Sequence, residues 1–405
     1  MPDVAKFRHF RTPKGQFGTL AGFGTRIGHN GRTVVTTIGI LGGSGEAGHV
    51  IAELLAVRED LDLVLMGRDE AKLASYCQSE NPHLTTRTVD ALDTENLREA
   101  LADIDLLIVA APLIDHVQQI AEVALETKTH WLDLLMDSPA KVEAFEELGP
   151  RFTEAGLKLI SGTGIHPGLP AAMIRTLTKK IDSPIGTQVA MMMSVDWRKY
   201  SFTAETAAEA SREISMMKAA GWVEGKYQNF SWTNPKAVRR VDFGSPFGVR
   251  EAFMMELEEI KRIHDLFPDL KEAAMMMAGT HVFVDYVVLP LCLVLLKLGF
   301  ARRAQKLFWW GWTSFAKAPY GTVLLADAWD DGEDMVRLSV AHKDGYWLTA
   351  AVAAATTRQL IDSMADITGY HQAALIVDPE KLLDDIQNMG ARVKNFTGKQ
   401  NYDPV

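Results

Sequence analysis

A run of three glycines in six residues constrains this chain more than any other feature. Gly43-Ser44-Gly45-Glu46-Ala47-Gly48 has the spacing G-x-G-x-x-G. Residues 33–42 (TVVTTIGILG) precede it and read as a buried strand, because they are β-branched and apolar without alternation. Residues 46–58 follow it with Val50, Ile51, Leu54 and Leu55 at helical spacing. Strand, glycine turn and helix in that order form the context in which the motif carries meaning. The glycines let the backbone turn sharply and approach a pyrophosphate, and the helix N-terminus presents N–H donors to it.

The pattern then repeats. Strand-like runs at 61–66, 85–89, 105–111, 131–135 and 158–161 alternate with helical stretches at 70–79, 94–102, 113–126 and 143–155. Such alternation predicts parallel β-α-β units, an α/β fold with an N-terminal Rossmann doubly wound parallel sheet. With 405 residues the chain exceeds one ordinary core. Past about residue 170 the periodicity loosens. Methionines gather at 191–193, 216–217 and 275–277, and aromatics at 308–312, which predicts a second mixed α/β domain. The stretch 345–364 reads as a strand edge entering an alanine-rich helix, 379–389 as a last amphipathic helix, and 391–394 as a short strand. The expected division is an N-terminal extension (1–32), a Rossmann dinucleotide-binding domain (33–170), a substrate and dimerisation domain (171–375) and a C-terminal segment (376–405). The extension is basic, rich in glycine and carries one acid, Asp3. It reads as a flexible tail, with a targeting peptide as the alternative.

The residue that follows the second strand sorts NAD from NADP. An acid there would bind the ribose 2′-hydroxyl. Arg68 holds the place, with Asp69 beside it, and a guanidinium pairs with a 2′-phosphate, so NADP is favoured. The alternative leaves Arg68 in solvent and Asp69 as the reader. Asp90, after the third strand, either contacts the adenine or caps a loop. Ala110, Ala111 and Pro112 end the fourth strand, where small residues let the backbone pass close to a cofactor. With Gly43, Ser44, Gly45, Glu46, Ala47, Gly48 and Arg68, these form the expected cofactor set.

Composition narrows the classes. Hydrophobic residues make up 47% and charged residues 23%, a soluble profile, and the net charge of −10 argues against nucleic acid as partner. Cys77 and Cys292 stand far apart in sequence and make neither a disulfide framework nor a zinc site. A reducing compartment, the cytoplasm, is therefore expected. No secretory signal is visible. P-loop lysine, H-E-x-x-H, C-x-x-C and G-x-S-x-G motifs are missing, so neither metal dependence nor serine hydrolysis is expected.

Four further stretches carry a family likeness: DLLIVAAP (105–112), THWLDLLMD (129–137), EAGLKLISGTGIHPGLP (154–170) and DGYWLTAAVAAATTRQL (344–360). With the glycine turn they make most of 33–394 resemble the saccharopine dehydrogenase-like family. The resemblance implies a Rossmann domain carrying NADP and a second domain that covers a small-molecule substrate and builds a homodimer. It also implies a chain end that packs back on the first domain, and substrates that are amino-acid or opine-like, or lipid-linked. One departure stands out. Where many relatives carry an acid before the Pro-Gly pair, this chain has His166.

His166 is the first catalytic candidate, since an ordinary imidazole suits proton transfer at neutral pH and a strand's carboxyl end is where such folds place ligands. The alternative is a histidine that pins the loop. Asp133 either polarises substrate or ties down its loop, and the loop is favoured; Asp137 flanks the same strand end. Tyr200 is the third candidate, beside Lys199. Ser201, Thr203 and Glu205 read as a helix cap and Arg198 as a surface ion pair.

Residues 281–300 (HVFVDYVVLPLCLVLLKLGF) approach the length of a bilayer span but include Asp285, Pro290 and Lys297. Arg302, Arg303 and Lys306 follow, then Phe308, Trp309, Trp310 and Trp312. A buried helix is the favoured reading, and peripheral membrane contact through 281–312 is the second. The leading function is NADP(H)-dependent hydride transfer to or from a carbonyl, imine or enoyl group. An opine-type reductive aminase and a nonenzymatic NADP-binding sensor or membrane-associated scaffold are the rivals.

Overall fold

A computed structural model describes residues 36–77, 81–199, 218–231, 234–279, 281–332 and 334–397. The extension 1–32, Tyr200 and the 201–205 stretch lie outside them. The first domain is a seven-stranded parallel sheet. In chain order its strands are β1 (Thr36–Leu41), β2 (Leu61–Gly67), β3 (Leu84–Thr88), β4 (Leu106–Val109), β5 (His130–Asp133) and β6 (Lys158–Ser161). A late strand, Gly369–Gln372, is the seventh, and the spatial order is Gly369–Gln372, β6, β5, β4, β1, β2, β3. The order reverses between β1 and β4, which opens a crevice at their carboxyl ends. The helices α1 (Gly48–Leu55), α2 (Glu70–Tyr76), α3 (Thr94–Leu101), α4 (Val117–Glu126) and α5 (Pro139–Glu154) connect these strands. They cover both faces, so the central strands β1, β2 and β4 are apolar on both sides, whereas β3 at the edge is polar.

The second sheet is mixed. Its strands are β7 (Gly186–Ser194), β8 (Ala219–Val223), β9 (Lys226–Phe230), β10 (Val238–Asp242), β11 (Val249–Met255), β12 (Glu272–Ala278), β13 (Gly321–Trp329), β14 (Met335–His342) and a last strand, Arg392–Thr397. The methionine runs 191–193 and 275–277 lie in central strands, while 216–217 lie outside the described residues: β7 and β12 pair in parallel, with Met191 opposite Met277. Their side chains alternate between faces, Met191 joining the inner core and Met192 the outer one. The inner core is shared by both domains. One face of β1 and β2, the helices α1, α6 (Leu169–Thr178) and Gly345–Asp362, and the inner face of β7 and β13 form one apolar mass.

Two expectations change. Residues 345–362 are helical throughout, because Asp344 caps the helix by accepting from the N–H groups of Tyr346 and Trp347. Among the described residues of 376–405, which end at 397, no strand joins the first sheet. Arg392–Thr397 pairs with β14 at the edge of the second sheet, and Pro379–Met389 packs against α6 and the 345–362 helix. The return is made earlier, by Gly369–Gln372 beside β6. The edge of β14 leaves an unpaired backbone ladder that the last strand completes.

Candidate active site

The glycine turn lies at the carboxyl end of β1. Gly42 and Gly43 both donate to the Met66 carbonyl, and Gly45 donates to the Gly42 carbonyl at 2.8 Å, which folds the turn back on itself. The two later glycines of the motif have distinct duties. A Cβ at Gly48 would run into the Gly42 carbonyl oxygen, so only glycine lets α1 sit this close to its strand. A Cβ at Gly45 would meet only that same oxygen, at 3.1 Å, so this side of the turn is open for a ligand to approach. No side chain caps α1, whose first turn carries no acid. Its positive end is left for an anion. His49 donates from Nδ1 to the Gly45 carbonyl at 2.7 Å and stacks on Tyr76, which holds the turn from behind. The turn fits a dinucleotide pyrophosphate.

The remaining cofactor residues converge on the same edge. Gly67 ends β2 with Ser44 Oγ close by, and exposed Arg68 follows it. The Asp69 carboxylate caps α2 by accepting from the Lys72 N–H at 3.0 Å. Asp90 accepts from the Leu92 N–H at 3.0 Å, which is the loop cap foreseen as its alternative duty. Ala110 donates to the Leu41 carbonyl, and the Ala110–Ala111 backbone presses so closely on Gly42 that no Cβ fits there. Glu46 and Ala47 complete the turn, and α1 begins at Gly48 instead of Glu46.

Residues 38–160 match the family model for the saccharopine dehydrogenase NADP binding domain. Those residues form an NADP-binding domain of the saccharopine dehydrogenase type. NADP is accordingly its cofactor, and the chain is an oxidoreductase. Its fold is that of saccharopine dehydrogenase (L-Glu forming) from Saccharomyces cerevisiae. That match has 15% identity and a TM-score of 0.62 over 89% of this chain and 99% of that one. A scyllo-inositol dehydrogenase from Lactobacillus casei aligns over 87% of this chain and 94% of its own, at 13% identity and a TM-score of 0.45. Among curated proteins, none matches this sequence.

Across β5, β6 and Gly369–Gln372 the same edge is built from buried charge. Asp133 is 0% exposed. It accepts from Trp131 Nε1 at 2.9 Å, from the Leu135 N–H at 3.0 Å and from Lys141 Nζ at 2.7 Å. These bonds tie the loop after β5 to the strand end. Lys141, equally buried, also reaches Asp137 at 3.2 Å and the Leu135 carbonyl. Burial opposes its charge, but the two carboxylates outweigh that, and its pKa is raised. Burial pushes Asp137 up as well, with Lys141 pulling the other way. The Gln372 amide lies within hydrogen-bonding reach of Asp137 and donates to the Tyr370 hydroxyl at 2.8 Å, which extends the network to the late strand.

His166 sits on the turn after β6, beside this network. Pro167 and Gln372 Oε1 both crowd Gly162. Gly168 has φ +129°, and a Cβ there would strike the Gly162 and Gly164 carbonyls, so the turn requires glycine. Glu259, reaching in from the second domain, accepts from the Gly168 N–H at 2.7 Å and the Ala171 N–H at 3.1 Å, which caps α6. Burial pushes Glu259 up to about 8. Burial also pushes His166 down to about 4, so its ring is neutral at pH 7 and does not match the ordinary imidazole expected of it. His166 as a residue is half-buried, and its ring Nδ1 is buried without a hydrogen-bond partner.

Lys141 and Glu259 were not foreseen. Lys141 had a signal: Ser138-Pro139 is an N-cap followed by proline at the first helical position, which starts α5 four residues before the helix expected at 143. With that start, Asp137 and Lys141 are four residues apart at the helix entrance. Glu259 had none, because its partners lie about ninety residues away in sequence.

Proposed function

We propose that this chain catalyses NADP(H)-dependent hydride transfer to or from a carbonyl, imine or enoyl carbon. The reacting atoms would lie at the carboxyl edge of β4, β5 and β6, with His166 as the residue that meets the substrate. The observation that carries this reading is the arrangement of one edge. The open glycine turn lies over β1, and the half-buried His166, its imidazole neutral and its Nδ1 unpartnered, lies beyond β5. A dinucleotide spanning the switch point runs from the first toward the second. The cofactor supplies the hydride chemistry; the chain positions and polarises. Gly45, the α1 N-terminus and Arg68 would hold the phosphates, and the Ala110–Pro112 turn would line the cofactor's path.

A neutral His166 has one donor and one acceptor nitrogen. It is suited to hydrogen-bond a carbonyl oxygen or imine nitrogen and orient it, while Glu259 and Gly168 fix the turn that carries it. Asp133 and Lys141 act behind the site, keeping the β5 and β6 ends together. The test is NADPH oxidation screened against ketones, imines and enoyl compounds, followed by His166→Asn on any substrate found. Turnover with one class, reduced at least about tenfold in kcat/KM by His166→Asn with NADPH affinity unchanged, is expected. NADPH binding without turnover of any class would favour the sensor.

A further inference from the structure

Residues 281–315 stand outside the catalytic account. A π turn at Val284–Val288 runs into the helix Leu289–Lys297, and after a break at Gly299 the helix Ala301–Phe315 folds back. The returning helix presses closely on the π turn, since a Cβ at Gly311 would meet Val288. Val284, Val288, Cys292, Ala304 and Phe308 form a small core of their own. Trp312 stacks on Trp197 with ring centres 4.8 Å apart, and Trp309 meets the same ring edge-on, which fastens the hairpin to the second domain.

The opposite side is the anomaly. Thirteen large apolar side chains stand exposed among the described residues, and nine belong to this hairpin. Phe283, Val287, Leu291, Val294 and Leu298 fall on a single helical stripe, spaced by four, four, three and four, and Leu298 is 62% exposed. A surface helix ordinarily keeps one apolar face and turns it inward. Here the inward stripe and the outward stripe are both apolar. The neighbouring helix shows a different outer face: exposed Arg302, Arg303 and Lys306, then Trp310, 49% exposed. With Lys297 these make four bases against one acid, Asp285, in a chain whose net charge is −10. A cleft of about 380 Å³ at the root of the hairpin repeats the combination, with Met192, Phe247 and Phe315 as walls and Arg250 and Lys317 among its lining.

We propose that this hairpin docks on an anionic lipid bilayer, with the Phe283–Leu298 stripe among the acyl chains. Arg302, Arg303, Lys306 and Trp310 lie at headgroup level. The charge decides among occupants. A second copy meeting this patch through a two-fold axis would set the basic stripe against itself, whereas an anionic leaflet attracts it. Tryptophan beside arginine and lysine suits the interface between acyl chains and water. No helix among the described residues is long and apolar enough to cross a membrane, so the hairpin lies in the surface.

The test is flotation of the full chain with vesicles of phosphatidylcholine alone and of phosphatidylcholine with about a third phosphatidylglycerol. Binding to the anionic vesicles is expected, weakening as salt is raised. Leu291→Glu with Leu298→Glu should abolish it. Arg303→Glu with Lys306→Glu should lower it at least about tenfold. All four positions are exposed, and unchanged NADPH affinity certifies the fold of each variant. Absence of flotation overturns the proposal, as does equal binding to both vesicles regardless of charge reversal. A dimer dissociated by the leucine substitutions without vesicle binding would make the patch a subunit interface instead.

Discussion

The two halves of the first sheet's carboxyl edge are made of opposite materials. Over β1 and β4 the edge is almost bare: Gly42, Gly43, Gly45, Gly48, Ala110 and Ala111 leave backbone as the surface. Over β5, β6 and Gly369–Gln372 it is crowded with the buried groups Asp133, Lys141, Asp137 and Gln372. The bare half gains its function from what is missing, because a phosphate needs N–H groups and a helix end brought close. The crowded half holds its loops by charge that is fully enclosed, where removing one member leaves the others uncompensated. Backbone sites fail through added atoms and enclosed ionic sites through deleted ones.

Lys141→Met should therefore have the largest effect. It leaves Asp133 and Asp137 buried without a cation, and a loss of about 3–5 kcal/mol in stability is expected from denaturant unfolding. An unchanged midpoint would mean the network does not hold the edge together. Gly48→Ala attacks the bare half by addition. It should lower stability by about 1–3 kcal/mol and weaken NADPH binding together, since the new Cβ drives α1 off the Gly42 carbonyl. Gly45→Ala sharpens the contrast, because its Cβ would press on one atom of the protein, the Gly42 carbonyl oxygen at 3.1 Å, but would stand in the way of a phosphate. NADPH affinity should fall about tenfold or more with a stability change under about 1 kcal/mol.

The pH dependence separates the two titrating groups of the His166 turn. Glu259 holds its proton to about 8 when folded, against 4.5 in the unfolded chain. Its contribution to stability is full below 4.5 and is lost as pH rises toward 8. His166 runs the other way: with the folded value lowered from 6.5 to about 4, stability is lost as pH falls across that window. Glu259→Gln should flatten the alkaline side of the unfolding midpoint against pH, and His166→Asn the acid side. A Glu259→Gln profile that retains the alkaline fall would contradict the assignment.

The first domain was legible because its signals are local. Glycine spacing, β-branched runs and helical periodicity all act within about ten residues, and they gave the strand order's parallel units and the cofactor turn. The second domain yielded only its mixed character, because β7 pairs with β12 some eighty residues onward. The same limit explains the chain end. Nothing local tells Arg392–Thr397 to complete β14, or Gly369–Gln372 to join β6. At the site, the loop-anchoring bonds of Asp133 agree with its place as the last residue of β5. His166 was placed rightly at a strand's end, but its neutrality depends on burial by distant elements.

The central claim, an NADP-specific turn at the bare half, is tested most directly by titrating the protein with NADPH and NADH and following nicotinamide fluorescence, repeated on Arg68→Ala. NADPH should bind at least about tenfold tighter than NADH, and Arg68→Ala should erase most of that preference while leaving NADH binding nearly unchanged. Equal affinity for the two nucleotides, or a preference that survives Arg68→Ala, would contradict Arg68 as the reader of the 2′-phosphate; failure to bind either would contradict the turn itself.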